Sequence, residues 1–126
     1  MPRIISTDGA PAAVGAYSQA TSDGNLVFTA GQIALTPDGE DLTRESPATQ
    51  AEQCLSNLEA VLDAAGSGLD KILKTTIYLA DIEDYDEVNE TYSRYFEEAP
   101  PARSAVGVDA LPKGAAVEIE VIATTA

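Results

Sequence analysis

Between Ser46 and Gly66 the apolar residues keep a helical period. Ala51, Leu55, Leu58, Leu62 and Ala65 recur at three- and four-residue steps and so share one face. Ser46 is a good N-cap residue, Pro47 suits the first helical turn, and Gly66 is a natural stop. The spacing predicts a helix over residues 47–65. A helix with one apolar stripe must bury it against another layer, and the flanking sequence supplies strands for that layer.

Asn25 to Ile33 is rich in apolar and β-favouring residues and follows Asp23-Gly24, a turn signal. It is expected to form a buried strand, with Val14 to Ala20 as its hairpin partner. Thr36-Pro37-Asp38-Gly39-Glu40 marks a turn, and the polar stretch to Ser46 is expected as a surface loop. Lys71 to Ala80 suits a strand with Leu73, Thr75, Ile77 and Leu79 on one face and Ile72, Lys74, Thr76 and Tyr78 on the other. Asp84-x-x-Glu87 resembles a capping box, and Val88, Tyr92, Tyr95 and Phe96 form one helical stripe behind it. Pro100-Pro101 ends that second helix. Ala102 to Val108 then reads as a strand, Leu111-Pro112-Lys113-Gly114 as a turn, and Val117 to Ala123 as a last strand. The fold class is therefore α+β: one domain over residues 1–126, with two amphipathic helices packed on one face of a mixed sheet. The other face carries Tyr78 and Ile122 among Glu118, Glu120, Lys74 and Thr76. That mixture fits a subunit interface with clefts.

Two residues at the ends of the last strands point to chemistry. Arg103 follows Pro100-Pro101-Ala102, and Glu118 lies fifteen residues later in Val117-Glu118-Ile119-Glu120. A guanidinium can clamp a small carboxylate through two parallel hydrogen bonds, which a lysine cannot reproduce. A glutamate beside that clamp can position or activate water. The chain has no histidine, so proton transfer falls to carboxylates, tyrosines or lysines. From the residues alone, Arg103 could equally be a structural ion pair and Glu118 part of a solvated strand face.

Composition narrows the function classes. The 126 residues carry 21 acids against seven bases, a formal charge of −14, which opposes binding to nucleic acid phosphates or anionic membranes. No apolar run approaches the ~20 residues that span a bilayer, and Met1 to Thr7 lacks the apolar core of a secretory signal. A soluble cytoplasmic protein is expected, and its acidic, lysine-poor character suggests a high-salt cytoplasm. Cys54 is the only cysteine and falls on the apolar face of the first helix, so a buried, unreactive thiol is expected. Without histidine or a cysteine cluster, and with no acidic run at EF-hand spacing, no metal site is expected.

Taken together, the pieces resemble the RidA (YjgF-type) family of imine/enamine deaminases. The likeness is carried by Ala10 to Gln19, Thr29-Ala30-Gly31-Gln32-Ile33, Asn57-Leu58 through Gly66, Lys74-Thr75-Thr76, Val88-Asn89-x-x-Tyr92, Pro101-Ala102-Arg103-Ser104 and Leu111-Pro112-Lys113-Gly114 with Val117-Glu118-Ile119-Glu120. It implies a chorismate-mutase-like fold and a homotrimer whose sheets form a barrel, with ligand clefts between subunits. It implies hydrolysis of 2-imino acids and their enamine tautomers, such as species derived from 2-aminoacrylate, to 2-oxo acids and ammonia, with no cofactor. On this chain Arg103 would bind the substrate carboxylate, Glu118 would hold the attacking water, Gly31 would add a backbone contact and Tyr17 would line the cleft. Asn89 matches a recurrent position, as a substrate-binding candidate. Ala16 and Ala105 depart from the family's usual proline and cysteine, and the segment from Phe96 to Pro100 is short. Two alternatives stay open: a non-catalytic sensor of small carboxylates in the same clefts, and the RNA cleavage associated with some relatives, which the net charge opposes.

Overall fold

The computed structural model describes all residues, 1–126. The elements run β1 (Arg3–Ile5), β2 (Ala20–Ser22), β3 (Leu26–Thr29), α1 (Pro47–Ala64), β4 (Ile72–Leu79), α2 (Tyr85–Ser93), β5 (Ala102–Gly107) and β6 (Val117–Thr124). Short 3-10 turns precede β4, α2 and β6. The strands form one sheet in the order β1-β2-β3-β6-β4-β5. Every pairing is antiparallel except β4 with β5, which run parallel because α2 carries the chain back between them.

Both helices lie on one face of this mixed sheet, so the α+β expectation holds. The core between the layers is built from Leu55, Leu58, Val61 and Leu62 of α1, Val88 and Tyr92 of α2, and Val27, Ile77, Leu79, Val117, Ile119 and Val121 of the sheet. Each such leucine, fully withdrawn from water, contributes about 1.5–3 kcal/mol. α1 begins as expected, with the Ser46 Oγ accepting from the Thr49 N–H at 3.2 Å. It ends in a Schellman-type turn: Gly66 takes φ 78°, its N–H donates to the Asp63 carbonyl, and the Ser67 N–H donates to the Leu62 carbonyl.

Three local expectations are corrected. Residues 14–19 form no strand; β2 is the hairpin partner of β3, and β1, which was not anticipated, pairs with β2. Gly15 takes φ 120° there, and the arm is tied down by a side chain instead of a ladder. The Gln19 amide oxygen accepts from the Thr7 N–H, and its two N–H groups donate to the carbonyls of Pro11 at 2.8 Å and Thr7 at 3.1 Å, with the Ala10 carbonyl sharing one of them at 3.3 Å. In β4 a bulge between Ile72 and Lys74 inserts one residue, so Ile72 points into the core and Leu73 is left exposed. Strict alternation had put them the other way round. The capping box at Asp84 also does not form. Asp84 makes no side-chain cap bond, and Glu87 accepts from the Ala48 N–H at the start of α1, at 3.0 Å. Its negative charge therefore sits at the positive end of the other helix's dipole.

The sheet face away from the helices is open. Across it run Ile4, Thr21, Phe28, Ile122, Glu120, Glu118, Thr76, Tyr78, Ser104 and Val106, of which Ile4, Phe28 and Val106 are exposed apolar side chains. No helix is long and apolar enough to cross a membrane. The one ion pair in the chain, Arg94 with Glu90 at 3.1 Å, is exposed and contributes little to stability.

Candidate functional site

Arg103 sits on β5, the outermost strand, where it pairs with Thr75 of β4. Thr75 faces the core, so the arginine points to the helix side, toward α2. There Nη1 donates to Asn89 Oδ1 at 2.7 Å and Nη2 donates to the Tyr85 hydroxyl at 2.5 Å. The guanidinium carbon lies 4.9 Å from the Tyr92 ring centre and 5.5 Å from that of Tyr85. Tyr92 is itself fixed: its ring packs on Phe96 with centres 4.5 Å apart, and its hydroxyl donates to Thr75 Oγ1 at 2.9 Å. Burial raises the Tyr92 phenol above its ordinary pKa. The half-buried guanidinium thus has only neutral partners, in a chain with 21 acids. Five N–H groups are available on a guanidinium, and two are used here. A cleft of about 380 Å³ opens beside it, lined by Asn89, Tyr92, Phe96, Pro100 and Pro101.

Glu118 lies on β6 opposite Tyr78 of β4, on the open face of the sheet. Its carboxylate rests against Gly31, where a β-carbon would overlap it. Only glycine permits that approach. Gly31 is held there by Gln32, which exchanges two backbone hydrogen bonds with Ile119 at 2.9 and 3.0 Å. The Gly31 N–H donates to no group in the chain. Burial raises the Glu118 pKa, and the like charge of Glu120, two residues along the same face, raises it further. Tyr78 is raised too, by desolvation first and then by Glu120 and Glu118. A cleft of about 440 Å³ joins Glu118, Gly31 and Tyr17 with Val14, Lys113 and Pro112. Tyr17 is half exposed, and its hydroxyl accepts from the Val14 N–H at 3.3 Å.

The five residues singled out in the sequence fall into two groups. Arg103 and Asn89 meet on the helix side; Glu118, Gly31 and Tyr17 meet on the open side. The glutamate is not beside the clamp within one chain: Arg103 aligns with Thr75 of β4 on the helix-side face, whereas Glu118 aligns with Tyr78 of the same strand, three residues on and so on the opposite face. Asn89 turns its amide oxygen to the arginine. Tyr85 was missed, although Tyr85, Asn89 and Tyr92 at i, i+4 and i+7 were a visible signal for one helix face. Also missed was Lys113, which lines the glutamate cleft with a left-handed backbone at φ 58°. Cys54 is buried, its thiol donates to the Gln32 carbonyl at 3.1 Å, and burial pushes its pKa far up, so it is no nucleophile. No group of three or more potential ligand residues is placed to hold a metal ion.

A family model described as Endoribonuclease L-PSP matches residues 7–125 of this chain. The chain is 47% identical over 121 residues to the rat 2-iminobutanoate/2-iminopropanoate deaminase, covering 96% of this chain and 88% of that protein. It is 44% identical over 123 residues to the RutC family protein PH0854 of Pyrococcus horikoshii, covering 98% of each. Among solved structures, it is similar to the YjgF gene product of E. coli, with TM-score 0.93 and 42% identity over 98% of this chain and 99% of that one. It is likewise similar to RidA from the Antarctic bacterium Psychrobacter sp., with TM-score 0.92 and 45% identity over 97% and 98%.

Proposed function

Because the chain belongs to the endoribonuclease L-PSP family, which includes the YjgF and RidA proteins, we propose that it is a deaminase of reactive 2-imino acids and their enamine tautomers. The observation that carries this reading is Arg103: a half-buried guanidinium between two aromatic rings, held only by neutral acceptors, with its charge unspent. Such a group suits a small carboxylate ligand. Glu118, with its pKa raised and its carboxylate packed against the bare α-carbon of Gly31, suits a water and the proton that the water must lose.

The two halves need each other, and one chain keeps them apart. The cleft is therefore completed by a second copy, in a homotrimer that covers the open sheet face with Ile4, Phe28 and Val106. Arg103 of one protomer holds the substrate carboxylate, and Glu118, Gly31 and Tyr17 of its neighbour face the imine carbon. Glu118 takes a proton as water adds to C2 of the protonated imine and returns it to the nitrogen. The C–N bond then breaks as the new C2 hydroxyl gives its proton to Glu118 and on to the departing ammonia, leaving a 2-oxo acid and ammonium. A protonated imine is already electrophilic, so orientation and a placed water suffice, and no cofactor is required. The acidic surface fits a cytoplasm rich in salt and opposes RNA as a substrate.

The test couples an amino-acid oxidase to supply 2-imino acid and follows its disappearance. Wild type should accelerate hydrolysis, and Arg103→Ala should lose roughly tenfold or more in kcat/KM while remaining folded, since a charge-assisted contact is worth about 1.5–3 kcal/mol. Arg103→Lys should recover little. Wild-type activity in folded Arg103→Ala would sink the assigned site. Binding of 2-oxo acid without any turnover would make the protein a carboxylate sensor.

A further inference from the structure

We propose that Tyr85 is a positioning residue that sets the plane of the Arg103 guanidinium and thereby the affinity for carboxylate. The inference rests on the deaminase reading for its ligand and on the contacts of Tyr85 for its substance. Arg103 lies on an edge strand, and its side chain has four torsions to fix before both arms of the fork can meet one carboxylate. Two neutral oxygens fix them. Asn89 Oδ1 takes one Nη1 hydrogen at 2.7 Å, and the Tyr85 hydroxyl takes one Nη2 hydrogen at 2.5 Å. Because the two acceptors engage different nitrogens, together they define the guanidinium plane; either alone leaves a rotation. A carboxylate in either place would hold the arginine as firmly but would neutralise it and compete with the ligand. A phenol and an amide orient it and leave its charge for the substrate.

The supports of Tyr85 are rigid. It opens α2, directly after the 3-10 turn Ile82–Asp84, and its ring packs against the main core cluster. Asn89 and Tyr92 follow one and two turns later, so a single helix face delivers both acceptors and the ring that lies 4.9 Å from the guanidinium. The N–H groups left on Arg103 are then the ones that a carboxylate in the adjoining cleft can reach.

The test is Tyr85→Phe, which keeps the ring and its packing and removes only the acceptor. Two readouts are taken: the dissociation constant of 2-oxobutanoate by calorimetry, with KM and kcat for the imino acid, and the side-chain nitrogen NMR signals of Arg103. Wild type should show resolved Nη resonances, which merge in Tyr85→Phe as rotation is freed. Dissociation constant and KM should rise about fivefold to tenfold, with kcat changed less than about twofold. Unchanged Nη resonances with unchanged affinity would overturn the proposal, as would an equal fall in kcat with KM constant. If wild type binds no 2-oxo acid, the deaminase reading fails instead. The Nη signals then decide the positioning role by themselves: merging upholds it, and persistence rejects it.

Discussion

At the scale of single residues, the two glutamates of β6 act on one another through charge. Glu118 and Glu120 share the open face, and burial together with Glu120 holds Glu118 above the ordinary carboxylate range. The water activation proposed for Glu118 needs it ionised, so kcat/KM should fall along an acid limb displaced upward from the ordinary carboxylate range. Glu120→Gln removes the like charge and should move that limb to lower pH; a limb that stays in place would detach Glu120 from the site. Stability follows the same sign: the folded chain holds the Glu118 proton more tightly than the unfolded one. Between the unfolded and folded pKa values, stability therefore declines as pH rises. Glu118→Gln should remove this decline and cost more in turnover than in affinity for the 2-oxo acid. Arg103 and Glu118 were legible in the sequence because Pro-Ala-Arg-Ser and Glu-x-Glu are local strings. Tyr85 was not, because its value lies in a contact with a residue 18 positions away.

Buried amides, at the scale of elements, hold the loops that shape the glutamate cleft. Gln50 of α1 is buried and donates to the carbonyls of Thr43 and Glu45, while its oxygen accepts from the Ala116 N–H. The Thr43 hydroxyl shares its one hydrogen between Asp41 Oδ1 at 2.6 Å and the Lys113 carbonyl at 3.2 Å, and Gln50 holds Ala116 just beyond, so one helical side chain braces both the 43–45 loop and the segment after Lys113. Asn57, one helical face along, donates to the Leu35 carbonyl. Gln50→Leu should leave two carbonyls and one N–H without partners. It is expected to cost about 2–4 kcal/mol in denaturant unfolding at fixed protomer concentration. A loss under about 0.5 kcal/mol would show that water replaces the amide freely. Helix 47–65 was legible because its period repeats over several turns. The bulge at Leu73 was not, because a one-residue insertion leaves the composition of a strand unchanged. The short strands β1 and β2 went unread for a related reason: three residues carry no period, and their place is fixed by pairing with β3.

Across the whole molecule, charge and association oppose one another. A net charge of −14 per chain, with a single exposed ion pair, makes assembly through the open face costly at low salt. The Debye length falls from about 30 Å at 0.01 M to about 3 Å at 1 M, so molar KCl should raise the melting temperature and favour the proposed trimer. Melting temperature and sedimentation mass that do not change across that range would remove the high-salt reading and leave the cleft untouched. Arg103 and Glu118 are proposed to act on one substrate from two different chains. Mixing answers it directly. Arg103→Ala and Glu118→Gln proteins, each retaining at most a small residual activity alone, are unfolded together, refolded and assayed for imine hydrolysis. Random assembly pairs an intact arginine with an intact neighbouring glutamate in roughly a quarter of the clefts of a closed ring. About that share of wild-type activity is expected to return. A mixture no more active than its parents, in trimers shown to contain both variants, would contradict the two-chain arrangement.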